Sequence, residues 1–258
     1  FYSFTPLVEQ ISVDEAFLDV SGSGRLFGTP EEIGRKIKER VWQEVSLTAS
    51  VGIANSKFMA KIASEMDKPD GLTYLPDEEI AEKVWPLAIK KMFGVGARTA
   101  ETMQSYGITT IGQLAQCDKG FAERVFGKNG GQMHDLANGI DPREVINVHQ
   151  AKSSGREITF AEDVTDKAVL ADTLSILADD VAHTLRRYDL KCRGVSLKFR
   201  YANLKRAARA MQLSEYTSSY HDIYAALMSL LDKYYHGEPL RLIGLAATHL
   251  KENPPLAQ

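Results

Sequence analysis

The most constraining stretch of this 258-residue chain is Ile11-Ser12-Val13-Asp14-Glu15-Ala16-Phe17-Leu18-Asp19-Val20. Two adjacent carboxylates, Asp14 and Glu15, interrupt an apolar, β-prone run. Ile, Val, Phe and Leu favour a strand packed on a core, yet burying an uncompensated carboxylate is expensive. In a regular strand neighbouring side chains point to opposite faces. If both acids serve one site, the chain must turn or a strand must end here. The residues alone leave two readings open. One is a hairpin turn with two exposed acids; the other is a pair of oxygen ligands for a hard divalent cation, Mg²⁺ or Mn²⁺.

Little in the composition restricts the fold further. The length allows one large domain or two to three small ones. No stretch approaches the roughly 18 to 20 apolar residues of a membrane span, so no membrane partner is expected. Two isolated cysteines, Cys117 and Cys192, and no signal peptide pattern suit a reducing, cytoplasmic setting. The chain opens on Phe1 and is read as a fragment of a longer protein. Its net charge of −3 hides an asymmetry: residues 1–149 hold 16 basic and 21 acidic side chains, the remainder 15 and 13. Between Leu185 and Met211 nine basic residues, among them Lys191, Arg193, Lys198 and Arg200, meet one acid, Asp189. Such a run is a polyanion-binding footprint.

In chain order, Thr29-Pro30-Glu31-Glu32 predicts a capped helix to about Val45 with Ile33, Ile37 and Val41 inward. Residues 47–53 predict a strand, Asn55-Ser56 a cap for a helix over 57–66, and 72–75 another strand. Alternating strands and helices imply an α/β layer, incomplete at its start. From about Pro86 short helices follow. Met92-Phe93-Gly94-Val95-Gly96-Ala97-Arg98 resembles a helix-hairpin-helix, whose glycines permit a tight turn and whose backbone N–H groups can meet a phosphate. An ordinary αα-turn is the plain alternative. Thr110 predicts a further helix cap, and Gly127-Lys128-Asn129-Gly130-Gly131 a break before a helix over 132–138. Residues 141–154 read as a linker. Beyond it the pattern is strand (155–163), helix (166–188), strand (192–202), strand (205–216), helix (218–235), strand (240–249), a ferredoxin-like β-α-β-β-α-β order. Along 195–201 apolar side chains alternate with Ser196, Lys198 and Arg200, placing the basic groups on one face.

Taken together, Thr5-Pro6-Leu7-Val8-Glu9 leading into Ser12–Val20, Ser50-Val51-Gly52-Ile53-Ala54 with Asn55–Ala63, Lys68-Pro69-Asp70-Gly71, Gly94-Val95-Gly96, Gly127–Gly131 and Ser154-Gly155-Arg156-Glu157 resemble the motifs of Y-family translesion DNA polymerases. Bacterial DNA polymerase IV is the nearest group, and the likeness covers nearly the whole chain. It implies an α+β multidomain protein: a partial α/β palm (1–85), a small helical thumb with a helix-hairpin-helix (86–145), a linker (146–154) and a β-α-β-β-α-β little finger (155–258). The resemblance makes Asp14 and Glu15 the catalytic pair that binds two Mg²⁺ ions and Lys68 a contact to the incoming triphosphate; a solvated helix-end lysine is the alternative for Lys68. Ser12 would support the carboxylates, and Asp19 would serve structure. Gly94, Gly96, Arg98, Arg156, Lys191, Arg193, Lys198 and Arg200 would hold the DNA.

Some family features are missing from these residues: a third metal-binding aspartate on an upstream strand, the fingers, and the bulky residue that excludes ribonucleotides. Ala97-Arg98-Thr99 stands where a lysine often precedes the threonine. Gln258 would begin a sliding-clamp-binding tail. The expected function is thus template-directed DNA synthesis on primer-template DNA with deoxynucleoside triphosphates, acting in translesion synthesis and DNA repair. The fragment itself would bind DNA but be catalytically deficient. A non-catalytic DNA-binding or scaffold protein is the alternative, and a nuclease or cyclase on a similar palm a third reading.

Overall fold

The protein, described here by a computed structural model over residues 1–147 and 151–252, divides into two units, 1–149 and 150–258. In the first unit the β-prone opening folds as a hairpin. Strands β1 (Val8–Gln10) and β2 (Ala16–Leu18) pair antiparallel, with Gln10 opposite Ala16. A short helix α1 (Gly24–Phe27) precedes α2 (Pro30–Val45), which starts as its sequence predicts. Thr29 accepts from the Glu32 amide while Glu32 accepts from the Thr29 amide, a reciprocal cap. Ile33 and Ile37 are buried against Phe4.

Strand β3 (Val51–Ala54) is shorter than the predicted 47–53 run and pairs in parallel with β4 (Leu72–Leu75) across α3 (Lys57–Met66). Ser56 caps α3 by accepting from the Met59 amide. The expected α/β layer is therefore two separate two-stranded sheets among the described residues. Helical turns begin at Asp77, well before Pro86, and Ile80 and Val84 pack with Phe58, Met59 and Ile62 of α3. One apolar core thus runs across the expected palm–thumb junction at residue 85.

Helices α4 (Ala97–Ser105), α5 (Ile111–Gln116), α6 (Lys119–Phe126) and α7 (Lys128–Ala137) complete that core through Ala100, Met103, Ile111, Leu114, Ala122 and Ala137. Here the structure corrects the predicted break at 127–131. Only Gly127 (φ +70°) ends α6, while Gly130 and Gly131 lie inside α7. A Cβ on Gly130 would stand 2.1 Å from the Ala122 carbonyl oxygen, so the missing side chain lets α7 lie directly on the α6 backbone. A glycine spent on close approach looks, in sequence, like one spent on a turn.

Residues 141–147, predicted as part of a linker, are bound to this unit by their side chains. Asp141 accepts from the Phe58 amide (3.1 Å), and the Asn147 amide accepts from the β1 amide of Val8 (2.8 Å) and donates to the Pro6 carbonyl (2.7 Å). Of the expected linker 146–154, residues 148–150 lie outside the described residues, as does the tail ending at Gln258.

In the second unit the order is β5 (Ser153–Val164), α8 (Lys167–Arg187), β6 (Leu190–Tyr201), β7 (Arg206–Thr217), α9 (Tyr220–Tyr234), β8 (Leu240–Thr248) and a short β9 (Lys251–Glu252). The β-α-β-β-α-β order is as expected. The spatial order is not ferredoxin-like: it is β5-β8-β6-β7, every neighbouring pair antiparallel, with β9 extending beside β6. A ferredoxin-like sheet would instead seat the first and third strands, β5 and β7, side by side at its centre. Leu170, Leu174, Leu177, Val181 and Leu185 of α8 and Ile223, Leu227 and Leu231 of α9 bury one sheet face, meeting Val195, Leu197, Phe199, Ile243 and Leu245. Each such side chain contributes about 1.5–3 kcal/mol. The other face carries Lys198 and Arg200.

Candidate active site

The hairpin resolves the conflict between β-prone residues and adjacent acids. Residues 11–15 form the connection between β1 and β2, closed by the Ile11 and Ser12 amides donating to the Glu15 carbonyl (3.0 and 3.3 Å). Asp14 is exposed, Glu15 half-buried, and neither lies within a regular strand, so strand alternation does not separate them. The Ser12 hydroxyl donates to Asp14 Oδ1 (2.6 Å). Asp19 plays a different part: its Oδ1 accepts from the amide and hydroxyl of Ser21, which hold its carboxyl below the usual range.

Two lysines of α3 reach back to the hairpin, and sequence reasoning singled out neither. Lys57 makes a buried ion pair with Glu9 of β1 (2.5 Å) and also donates to the Glu144 carbonyl; the Ile146 amide donates to the same Glu9 oxygen. Lys61 donates to Glu15 Oε1 (2.6 Å) and to Glu65 Oε1 (2.8 Å). Burial works against the Lys61 ammonium, but its bonds to Glu15 and Glu65 outweigh that and raise its pKa above the ordinary lysine value. Bonds from Lys61 and Lys68 hold the Glu65 carboxyl low. Lys68, the expected triphosphate contact, rests on Glu65 Oε1 at 2.6 Å. The signal was available: Lys57, Lys61, Glu65 and Lys68 recur at spacings of four, four and three, one face of a helix and its exit.

The donor chemistry of Asp14 and Glu15 suits Mg²⁺, which keeps several waters and is commonly held by one or two carboxylates together with substrate phosphates. Among the described residues no group of three or more His, Cys, Asp or Glu side chains is placed to hold a metal ion.

The expected DNA contacts separate into several places. Gly94 (φ +90°) makes the hairpin turn before α4, and Gly96 begins that helix with no side-chain cap. No atom lies within 4 Å of a Cβ built on either glycine, and Arg98 is exposed on the first turn. The space beside these two glycines is thus open. The preceding helix of the expected motif is only a 3₁₀ turn, Ile89–Lys91.

The basic residues of 185–211 do not share one face. Lys198, Arg200 and Arg206 lie on the open sheet face, with Glu157 3.8 Å from Lys198. Arg209 pairs with inward-facing Leu197 and stacks its guanidinium on Tyr234. Arg156 pairs with buried Leu245, so it belongs to the helix-covered side at the sheet edge. Arg193 sits at the register shift between β6 and β7, donating to the Leu213 carbonyl with its guanidinium over Tyr216. Lys191 pairs with Lys251 of β9. A strand alternates its charges between faces, which a count along the sequence ignores.

No helix among the described residues is long and apolar enough to cross a membrane. Three family models match the chain: the impB/mucB/samB family at residues 1–65, the IMS family HHH motif at 77–108, and the impB/mucB/samB family C-terminal domain at 151–258. Over 244 residues the chain is 42% identical to a DNA polymerase IV of Methanoculleus marisnigri, covering 95% of this chain and 68% of that protein. It is 39% identical to DNA polymerase IV 1 of Halalkalibacterium halodurans, covering 94% of this chain and 59% of that protein. Its fold matches a Y-family DNA polymerase chimera with a TM-score of 0.84 at 22% identity, over 98% of this chain and 73% of the other. An insertion ternary complex of Dbh DNA polymerase matches with a TM-score of 0.66 at the same identity and coverage.

Proposed function

Since this chain belongs to the Y-family DNA polymerases, we propose that its Asp14–Glu15 hairpin is the metal-binding part of a template-directed polymerase acting in translesion synthesis. The observation that carries this reading is the placement of both acids at a hairpin end, with Ser12 on Asp14 and Lys61 on Glu15. In the reaction the primer 3′-hydroxyl gives up its proton to solvent water and its oxygen bonds the α-phosphorus. The bond from that phosphorus to the bridging oxygen breaks, and pyrophosphate leaves. Asp14 and Glu15 would hold two Mg²⁺, which would supply positive charge to the attacking oxygen and to the triphosphate.

The chain's own residues do the rest. Asp14 and Glu15 provide the oxygen ligands. Lys68, whose Glu65 contact is exposed, would exchange that carboxylate for a triphosphate oxygen. The uncapped start of α4 and Arg98 hold a backbone phosphate, and Lys198 and Arg200 neutralise others. All of these contacts are independent of base sequence, as a polymerase requires. With two carboxylates and no third acidic, His or Cys ligand among the described residues, the transition state receives less charge stabilisation. This chain is therefore expected to bind primer-template DNA and to extend it slowly.

Single-nucleotide extension with Mg²⁺, by this chain and by Asp14→Ala, tests the reading. A further drop on the order of 10³-fold in rate is expected for Asp14→Ala, the scale of losing a group that stabilises developing charge. Extension indifferent to Asp14 would remove the assignment. DNA binding with no extension in Mg²⁺ or Mn²⁺ would favour a non-catalytic DNA-binding role.

A further inference from the structure

Lys61 is the centre of a line of alternating charges, Glu15–Lys61–Glu65–Lys68, that the roles above do not explain. Its side chain is only 11% exposed, while that of Glu15 is 35% exposed. Its ammonium also lies 5.8 Å from the ring centroid of Phe93, the half-exposed residue before the Gly94 turn. Lys61 is thus fixed from three sides: by the α3 backbone, by Glu65 and by an aromatic face. Glu15 belongs to a five-residue connection. When such partners bond, the anchored group orients the looser one.

We propose that Lys61 is a positioning residue that holds Glu15 by one carboxylate oxygen and leaves its second oxygen for the divalent ion. The proposal rests on the polymerase reading above and adds to it a determinant of metal affinity that does not itself touch the metal. Outer partners of metal ligands commonly change affinity by about 10–100-fold when lost, because the ligand must then be ordered by the ion itself. Phe93 extends the same control to the hairpin turn, since its ring faces the ammonium that fixes Glu15.

Mn²⁺ titration of this chain, read from paramagnetic broadening of the Ala16 and Phe17 amides, tests the idea without catalysis. Lys61→Met is expected to move the midpoint about 10–100-fold higher, and Lys61→Arg to recover most of the affinity. An unchanged midpoint in Lys61→Met overturns the proposal. So does a lower one, which would make Lys61 a competitor of the ion. If a thermal melt shows Lys61→Met unfolded, Lys61→Ala, which likewise removes the donor, is held to the same criterion. Asp14→Ala separates the two levels. A weakened titration in Asp14→Ala beside an unchanged Lys61→Met removes only the role of Lys61, whereas indifference to both substitutions removes the metal-site reading as well.

Discussion

At the scale of single residues, the strand leading into the hairpin is tied to α3 by a buried ion pair. Glu9 and Lys57 are 6% and 9% exposed and 2.5 Å apart. Such a pair is weak evidence of net stabilisation, but removing one member is costly because the other stays in low dielectric. Lys57→Met is expected to destabilise the first unit by about 3 kcal/mol, and Glu9→Gln/Lys57→Met by less, as read from urea midpoints at constant slope. Asp141 gives a pH signature. Burial pushes its carboxyl up, but the Arg143 guanidinium and the Arg143 and Phe58 amides outweigh that and hold it below the usual range. A carboxyl depressed in the folded state stabilises above its unfolded pKa, and that contribution disappears as pH falls through the folded value. The stability gap between the parent chain and Asp141→Asn is expected to be about 1.5–3 kcal/mol at pH 7. It should shrink as pH drops below about 4, near the unfolded carboxylate pKa. A gap constant with pH would contradict the assignment.

At the scale of elements, close packing and strand alternation decide outcomes that composition leaves open. Gly130→Ala places a methyl 2.1 Å from the Ala122 carbonyl oxygen, so α6 and α7 must separate. A loss of about 1–3 kcal/mol is expected, the cost of overpacking, whereas a neutral or stabilising change would show that the helices part freely. On the sheet of the second unit, Lys198 and Arg200 share the open face, whereas Arg209 and Arg156 belong to the helix-covered side. Replacing Lys198 and Arg200 by Gln should flatten the salt dependence of DNA binding by about two counterions. Replacing Arg156 and Arg209 should leave that slope nearly unchanged. Equal effects of the two pairs would mean that the sheet face does not organise the contact.

At the scale of the whole chain, the second unit has its own core, from Leu170 of α8 to Ala247 of β8, closed by an all-antiparallel sheet. Residues 151–258 produced alone are expected to melt in one cooperative transition; a broad, non-cooperative melt would show that this core needs the rest of the chain. Much of the molecule was legible in the sequence, because the deciding forces act over a few residues. The Thr29 and Ser56 caps and the alternation along 195–201 are local patterns, and their elements formed where expected. That a site shared by Asp14 and Glu15 requires a turn or a strand end followed from pleat geometry. Partners distant along the chain were not legible. Lys57 with Glu9 is 48 residues apart, Lys61 with Glu15 is 46, and Asn147 with Val8 is 139. The role of Gly130, the β5-β8-β6-β7 order and the division of the basic run between two faces depend likewise on which backbone lies beside which. Local propensity and period determine elements, whereas charge pairing and close approach are settled only when separate elements meet.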